Sequence, residues 1–161
     1  MPRVTYTQRS WRMLRDLGLC LLLFAGCDGS GGSTSISSQV LAGKIGGQSW
    51  TFVQGETDPT LSDSSSYWVN LYASSFSACT SFAAPTDQSN IIIMIPRTAG
   101  GYDLSLAKNA TFYVPPSDNW VATRGHVQID SITATTITGG ANITYNGDNT
   151  VDGQFQVSIC P

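Results

Sequence analysis

Few residues in this sequence could serve acid–base or nucleophilic catalysis. His126 is the only histidine among 161 residues, so any Ser-His-Asp or Cys-His arrangement would need it as the base. It follows Gly125 at the start of a run of alternating polar and apolar residues, a pattern that predicts a solvent-facing strand position. A zinc site with three protein ligands would need more His, Cys or Glu residues than are available. We therefore expect no catalytic constellation, no metal and no cofactor.

Paired carboxylates are the remaining catalytic hypothesis, because a glycosidase needs two of them roughly 5 to 10 Å apart in a cleft. Glu56, Asp58 and Asp63 are close together in the sequence. They lie in a segment rich in Gly, Pro and Ser, where acidic residues usually form turns and confer solubility. We expect turn residues here, and a glycosidase is the second alternative to the function predicted below.

Aromatic rings are the candidates for ligand contact, because Trp and Tyr side chains on a β-sheet surface can stack on sugar rings. Tyr67 and Trp68 are adjacent in a predicted strand, so their side chains should point to opposite faces of the sheet. Trp120 follows a loop that contains two prolines. These three residues are the candidate stacking residues, and the competing interpretation places such rings in the core. A carbohydrate-binding module is accordingly the first alternative function.

The charge distribution disfavours nucleic-acid binding and directs attention to the N-terminus. Only 12% of the residues are charged and the formal charge is −3, whereas nucleic-acid binders show a basic excess. Half of the eight basic residues precede an apolar run of about ten residues at 17–26. A basic stretch before an apolar run shorter than the roughly 20 residues of a membrane span predicts a secretory signal peptide at residues 1–26. Without that segment, 4 basic and 10 acidic residues remain, for a charge of −6.

The end of this segment, Phe24-Ala25-Gly26-Cys27, resembles a bacterial lipobox, in which an apolar and two small residues precede a cysteine. Phe24 stands where Leu is usual. The resemblance implies that Cys27 receives a diacylglycerol, becomes the first residue after cleavage and is acylated on its amine. Two or more acyl chains anchor a protein stably, so the implied partner is a membrane of the bacterial cell envelope. We expect the outer membrane, with the inner membrane as the alternative because Asp28 resembles a retention signal of enteric bacteria.

Residues 27–39 are predicted to form the lipidated cysteine and a flexible tether. Positions 28–38 are nearly all Gly, Ser and Thr, a composition that buries little apolar surface and stays a coil. A tether of this length would hold the following domain on the order of 20 Å from the bilayer.

Two cysteines, Cys79 and Cys160, remain in the part of the chain that is expected to fold. Two cysteines in an exported domain pair most simply with each other. Metal ligation is the alternative, but neither cysteine has a CxxC neighbour. The predicted disulfide bond would tie the C-terminus to a loop after the third predicted strand.

Residues 40–161 show period-two alternation and turn signals without helical periodicity. About eight strands in this length predict an antiparallel β-sandwich, with a small closed barrel as the alternative. The continuous apolar run from Asn90 to Ile95 predicts a central strand buried on both faces. The last third predicts a three-stranded meander, with a turn at Asn146–Asn149 between its last two strands.

Residues 40–161 as a whole are similar to small bacterial lipoproteins that open on a Gly-x-Ile-x-Gly-x-x-Trp-like motif, here Gly43–Trp50. Those proteins end in a meander closed by a cysteine, here Gly125–Cys160. The resemblance implies the fold only. The sequence thus predicts a lipid-anchored cell-envelope protein with a non-enzymic structural or binding role, whose partner is an envelope polysaccharide or another protein.

Overall fold

The computed structural model describes residues 35–80 and 84–161. The predicted signal peptide, the lipidation site Cys27, Asp28 and residues 29–34 of the predicted tether lie outside the described residues. Every regular element of the described part is a β-strand, which confirms the predicted all-β class. That part holds no helix of the length and hydrophobicity needed to cross a membrane.

The described part contains eleven strands. They are β1 (Ala42–Ile45), β2 (Gln48–Thr51), β3 (Gln54–Asp58), β4 (Ser66–Tyr72), β5 (Asn90–Pro96), β6 (Gly100–Asp103), β7 (Ala110–Val114), β8 (Asp118–Ala122), β9 (Gly125–Ile132), β10 (Thr136–Asn146) and β11 (Asn149–Ser158). The two strands that alternation did not reveal, β3 and β8, have five residues each and lack apolar alternation. Their strand conformation follows from pairing with β4 and β7, respectively.

One mixed sheet contains all eleven strands and curls into a half-barrel. Its order is β6-β9-β10-β11-β3-β4-β5-β7-β8, and β1 joins it by pairing with β11. The pairing of β11 with β3 is parallel, at Ser158 and Glu56. Because a curled sheet faces itself across the interior, this single sheet supplies the opposed walls of a sandwich or barrel-like core.

The predicted C-terminal meander is confirmed by β9, β10 and β11. β10 pairs antiparallel with both neighbours, and only Gly147 and Asp148 separate it from β11, as a tight hairpin requires. Alternate side chains of the meander are buried inside the curl, among them Val127, Ile143 and Val157. The other side chains point outward, so the meander has one buried face and one polar face.

Contacts between strands that are distant in the sheet order hold the curl. The ring of Trp120 in β8 contacts that of Tyr145 in β10, with centroids 5.4 Å apart. The hydroxyl of Tyr102 in β6 donates a hydrogen bond of 2.8 Å to the carbonyl of Met94 in β5. Burial raises the pKa of the Tyr102 phenol, so this hydroxyl stays protonated as a donor.

The prediction that β5 is buried on both faces is wrong. Ile91, Ile93 and Ile95 are fully buried in the core, but Ile92 and Met94 are only half-buried on the outer face. The physical reason is that the single curled sheet encloses one core, and no second layer covers the outside of β5 in the described part. A run of apolar residues therefore marks a central strand here without burying both of its faces.

Residues 35–39, at the end of the predicted tether, lie across the outer face of the meander. The Asn142 side chain donates to the Ser35 carbonyl at 3.3 Å, and the N–H of Ser37 donates to Asp152 at 3.0 Å. Gly140 leaves room for Ile36, since a Cβ at this position would lie 2.8 Å from the Ile36 side chain. These five residues are thus fixed to the domain.

Candidate functional site

A cleft of about 490 Å³ opens on the outer face of the sheet where β3 and β4 pair. In the antiparallel register Glu56 lies opposite Asn70, and Asp58 lies opposite Trp68. Side chains of opposed residues project from the same face, and this face points away from the core. We call this site the β3–β4 cleft; the residues that define it are Glu56, Asp58, Asn70, Tyr72, Cys79 and Cys160.

The predicted disulfide bond between Cys79 and Cys160 is confirmed and forms one wall of the cleft. Their sulfur atoms are 2.11 Å apart and their Cα atoms 5.0 Å apart. The N–H of Cys160 donates to the hydroxyl of buried Thr57 at 2.8 Å. The disulfide therefore fastens the loop after β4 to the C-terminal residues that follow β11.

The carboxylate of Glu56 contacts both halves of the disulfide. Its Oε2 atom accepts a hydrogen bond of 2.6 Å from the backbone N–H of Cys79 and lies 3.5 Å from Sγ of Cys160. Cys79 has a φ of 59°, in the left-handed region that non-glycine residues rarely adopt. The hydrogen bond that Cys79 N–H donates to Glu56 helps to hold this backbone conformation, so the carboxylate has a structural partner in the oxidised protein.

Asp58 closes a turn at the end of β3. Its Oδ1 atom accepts hydrogen bonds from the hydroxyl and N–H of Thr60, at 2.6 and 2.8 Å, and from the N–H of Leu61 at 3.2 Å. Partial burial acts to raise the pKa of Asp58, but these three hydrogen bonds outweigh it and lower the pKa. The side chain is therefore a carboxylate at neutral pH, which suits an acceptor and not a general acid.

Tyr72 is the most buried of the residues that define the cleft. Burial, with a smaller contribution from the negative charges of Glu56 and Asp58, raises its pKa to about 12. Its ring meets that of Phe76 edge to face, with centroids 5.1 Å apart. The cleft thus combines two acceptor carboxylates, a neutral phenol and the amide of Asn70.

The structure corrects the prediction that the acidic residues near position 60 lie in a loop. Glu56 and Asp58 belong to strand β3, where they share one face because alternate residues of a strand point the same way. Asp63 does form a turn, and it does not line the cleft. Hydrogen bonds from Ser65, and then from Ser66, lower the pKa of Asp63 to about 2.

The three candidate stacking residues do not share a surface. Tyr67 packs against the core and lies beneath the guanidinium of Arg97, 3.9 Å from its ring centroid. Trp68 is half-buried on the outer face, beside the cleft. Trp120 lies opposite buried Phe112, so it points inward at the edge of the sheet and remains 38% exposed. Only Trp68 therefore lies on the face that carries the cleft.

His126 projects from the outer face of β9, opposite to buried Val127 and Ile129, as its sequence pattern predicts. Its Nδ1 atom is 2.8 Å from Oδ1 of Asp103 in β6, and the Asp103 side chain is 76% exposed. Strands β10 and β11 separate this pair from β3 in the sheet order. The histidine is therefore not part of the β3–β4 cleft.

No protein-family model, curated protein or solved structure matches this chain. The site must accordingly be interpreted from its own residues. Sequence reasoning missed Asn70 and Tyr72 as site residues. The alternation of side chains along the third predicted strand already places both residues on the same face as Trp68. Their role could still not be predicted, because the sequence does not show that β3 lies beside that strand.

Proposed function

We propose that this chain is a lipid-anchored protein of the bacterial cell envelope with a non-enzymic binding role, and that its β-domain contacts its partner at the β3–β4 cleft. The cleft itself is the observation that supports a binding role. It has a volume of about 490 Å³ and a high density of fixed hydrogen-bonding groups. Asp58 in particular is held by three local hydrogen bonds, so it is preorganised to accept bonds from a ligand.

Anchoring supports a location at the membrane. The lipobox-like sequence before Cys27 supports acylation, and the seven residues 28–34 separate that cysteine from Ser35, the first described residue. A fully extended segment of this length spans at most about 25 Å. The domain therefore works close to its membrane, which we propose is the outer membrane, with the inner membrane as the alternative because of Asp28.

A carbohydrate ligand is the second candidate, and one observation favours it. Trp68 is half-buried on the outer face and lies directly opposite Asp58, on the face that carries Asn70. An aromatic ring beside a carboxylate and an amide offers a stacking surface together with hydrogen-bond acceptors and a donor. This combination suits a hydroxyl-rich ring, so an envelope polysaccharide is the partner that we test first.

The carboxylates of Glu56 and Asp58 also bear on the glycosidase alternative. Their Cα atoms are two strand residues, or about 7 Å, apart. A glycosidase needs one of its two carboxyl groups as a proton donor. The hydrogen bonds that lower the pKa of Asp58 work against this role for Asp58, and Glu56 is bonded to the backbone of Cys79. These contacts support binding over turnover.

The binding proposal is tested with a glycan array and a pull-down from solubilised envelope, using wild type, Trp68→Ala and Trp120→Ala. Trp120→Ala is the matched control, since it removes the same ring from the opposite face. We expect Trp68→Ala to lose binding and Trp120→Ala to retain it. Equal binding by both variants would refute the cleft as the contact site, and turnover of a glycan that Glu56→Gln abolishes would show an enzyme instead.

The anchoring proposal has a separate test. A palmitate analogue should label the wild-type chain and leave Cys27→Ser unlabelled, and membrane fractionation should find the labelled protein with the outer membrane. Equal labelling of the two proteins would refute acylation at Cys27.

A further inference from the structure

Three potential metal ligands converge beside the cleft. The carboxylate of Glu56 and the sulfur atoms of Cys79 and Cys160 lie within 4.8 Å of one another. They come from β3, from the loop after β4 and from the residues after β11, so they are brought together by the fold. The sequence predicted too few ligands for a metal because both cysteines were assigned to a disulfide. In the oxidised protein the sulfurs are bonded to each other and are not thiolate ligands.

We infer that opening the Cys79–Cys160 disulfide converts this cluster into a binding site for a thiophilic divalent cation, first of all Zn²⁺. The two thiolates and the Glu56 carboxylate supply three protein ligands, and the fourth position faces the cleft and takes water. Sulfur and carboxylate oxygen are both zinc ligands, and tetrahedral coordination with one open position is ordinary for this ion. This inference is independent of the proposed binding function, which concerns the oxidised protein.

The geometry needs only side-chain rotation. Two sulfurs on one tetrahedral zinc ion, each about 2.3 Å from the metal, are about 3.8 Å apart. The two Cα atoms are 5.0 Å apart, which allows the side chains to reach that separation. After reduction, the hydrogen bond from Cys160 N–H to buried Thr57 and the bond from Cys79 N–H to Glu56 keep both backbones near their present positions. The ligand set is therefore preorganised.

The cluster is accessible to a reductant and to a metal ion. Cys79 is exposed at the surface, while Cys160 and Glu56 are half-buried, and all three residues line the open cleft. A thiolate can therefore attack Sγ of Cys79 from solvent. The Glu56 carboxylate, 3.5 Å from Sγ of Cys160, is close enough to join both sulfurs on one metal ion once the sulfurs separate.

The reductant in this scheme is a dithiol. One of its thiolates attacks Cys79 Sγ, the bond to Cys160 breaks, and Cys160 leaves as a thiolate that takes up a proton. The second reductant thiolate then displaces Cys79 and closes a disulfide within the reductant. Two electrons and two protons thus pass to the protein. Binding of Zn²⁺ releases the two thiol protons, because only the thiolates are ligands.

The test uses the full chain, reduced with a phosphine that is then removed under anaerobic conditions. Zn²⁺ affinity is measured by competition with a chromophoric chelator, and Cd²⁺ is added separately to record the ultraviolet absorption of a thiolate–cadmium bond. We expect one equivalent of metal on the reduced wild type and none on the oxidised protein. Glu56→Gln should weaken binding at least about tenfold, since one of three ligands is lost. Asp118→Asn, which removes an exposed carboxylate of β8 outside the cleft, should stay within about threefold of wild type.

Two thiols in an unfolded chain also bind metal, so the folded state is followed by near-ultraviolet circular dichroism. If reduction unfolds the protein, Zn²⁺ should restore the wild-type spectrum and fail to restore that of Glu56→Gln. Equal affinity of wild type and Glu56→Gln would overturn the inference. So would binding to the reduced wild type no tighter than to the double variant Cys79→Ser/Cys160→Ser. Either result would leave the glycan and pull-down experiments on the oxidised protein unaffected.

Discussion

Removing the disulfide should destabilise the oxidised domain strongly. The bond joins residues separated by 81 positions, and on the chain-entropy model a closed loop of this length stabilises the fold by about 4.5 kcal/mol. Domains of this size have a free energy of unfolding of about 5 to 15 kcal/mol. At about 2.1 cal/mol/K of unfolding entropy per residue, a domain of about 125 residues should lose about 17 °C in Tm.

The measurement compares thermal unfolding of wild type with Cys79→Ser/Cys160→Ser, followed by circular dichroism without reductant. Reduced wild type is a second sample that lacks the bond but keeps both side chains, and it should melt close to the variant. Ser75→Ala, an exposed substitution in the same loop, should leave Tm unchanged. A variant that melts within about 3 °C of wild type would refute the reasoning. It would mean that the loop and the C-terminus are restrained equally well when the bond is absent.

Further predictions concern one glycine, one turn and residues 35–39, which lie against the meander. Gly43→Ala should destabilise the protein by about 2 to 4 kcal/mol in a denaturant titration, because the new Cβ would clash with the Thr150 carbonyl oxygen. Gly147→Ala is the control and should change the stability little, since open space surrounds this position. Hydrogen bonds lower the pKa of Asp63 to about 2. Its contribution to stability is therefore present above the unfolded-state pKa near 4 and is lost as the pH falls toward 2. The Tm of Asp63→Asn should accordingly vary less over that pH range than the Tm of wild type. Asp152→Ala should increase hydrogen exchange at residues 35–39, and unchanged exchange would contradict their docking.

The sequence predicted well what depends on local pattern. The meander could be predicted because β10 and β11 each alternate over ten or more residues and the turn between them has a specific chemistry. The disulfide could be predicted by elimination, since the composition left two cysteines in the folding part of the chain. Both inferences need neighbours in sequence or a count of residues, and neither needs the tertiary arrangement.

The position of β5 shows where pattern fails. Its run of consecutive apolar residues is the usual sign of a strand covered by two layers, yet Ile92 and Met94 lie half-buried on the outside. The hydrophobicity of a residue indicates how much free energy its burial would contribute. It does not show whether the fold places another layer against that residue. The outer surface beside Trp68 therefore carries two half-buried apolar side chains, those of Ile92 and Met94, and these add apolar contact area next to the cleft.

The cleft depends on a pairing that no local signal encodes. Gln-Gly-Glu-Thr-Asp of β3 has no apolar alternation, because Gly55 and Thr57 occupy its inner positions. β3 is a strand because β4 pairs along one edge and β11 meets the other in parallel at a single register position, Ser158 with Glu56. That one parallel contact carries Cys160 past Glu56 and sets the carboxylate against the disulfide. This contact cannot be inferred from the sequence. Before the strand order was known, Glu56 could therefore not be distinguished from an acidic residue in a turn.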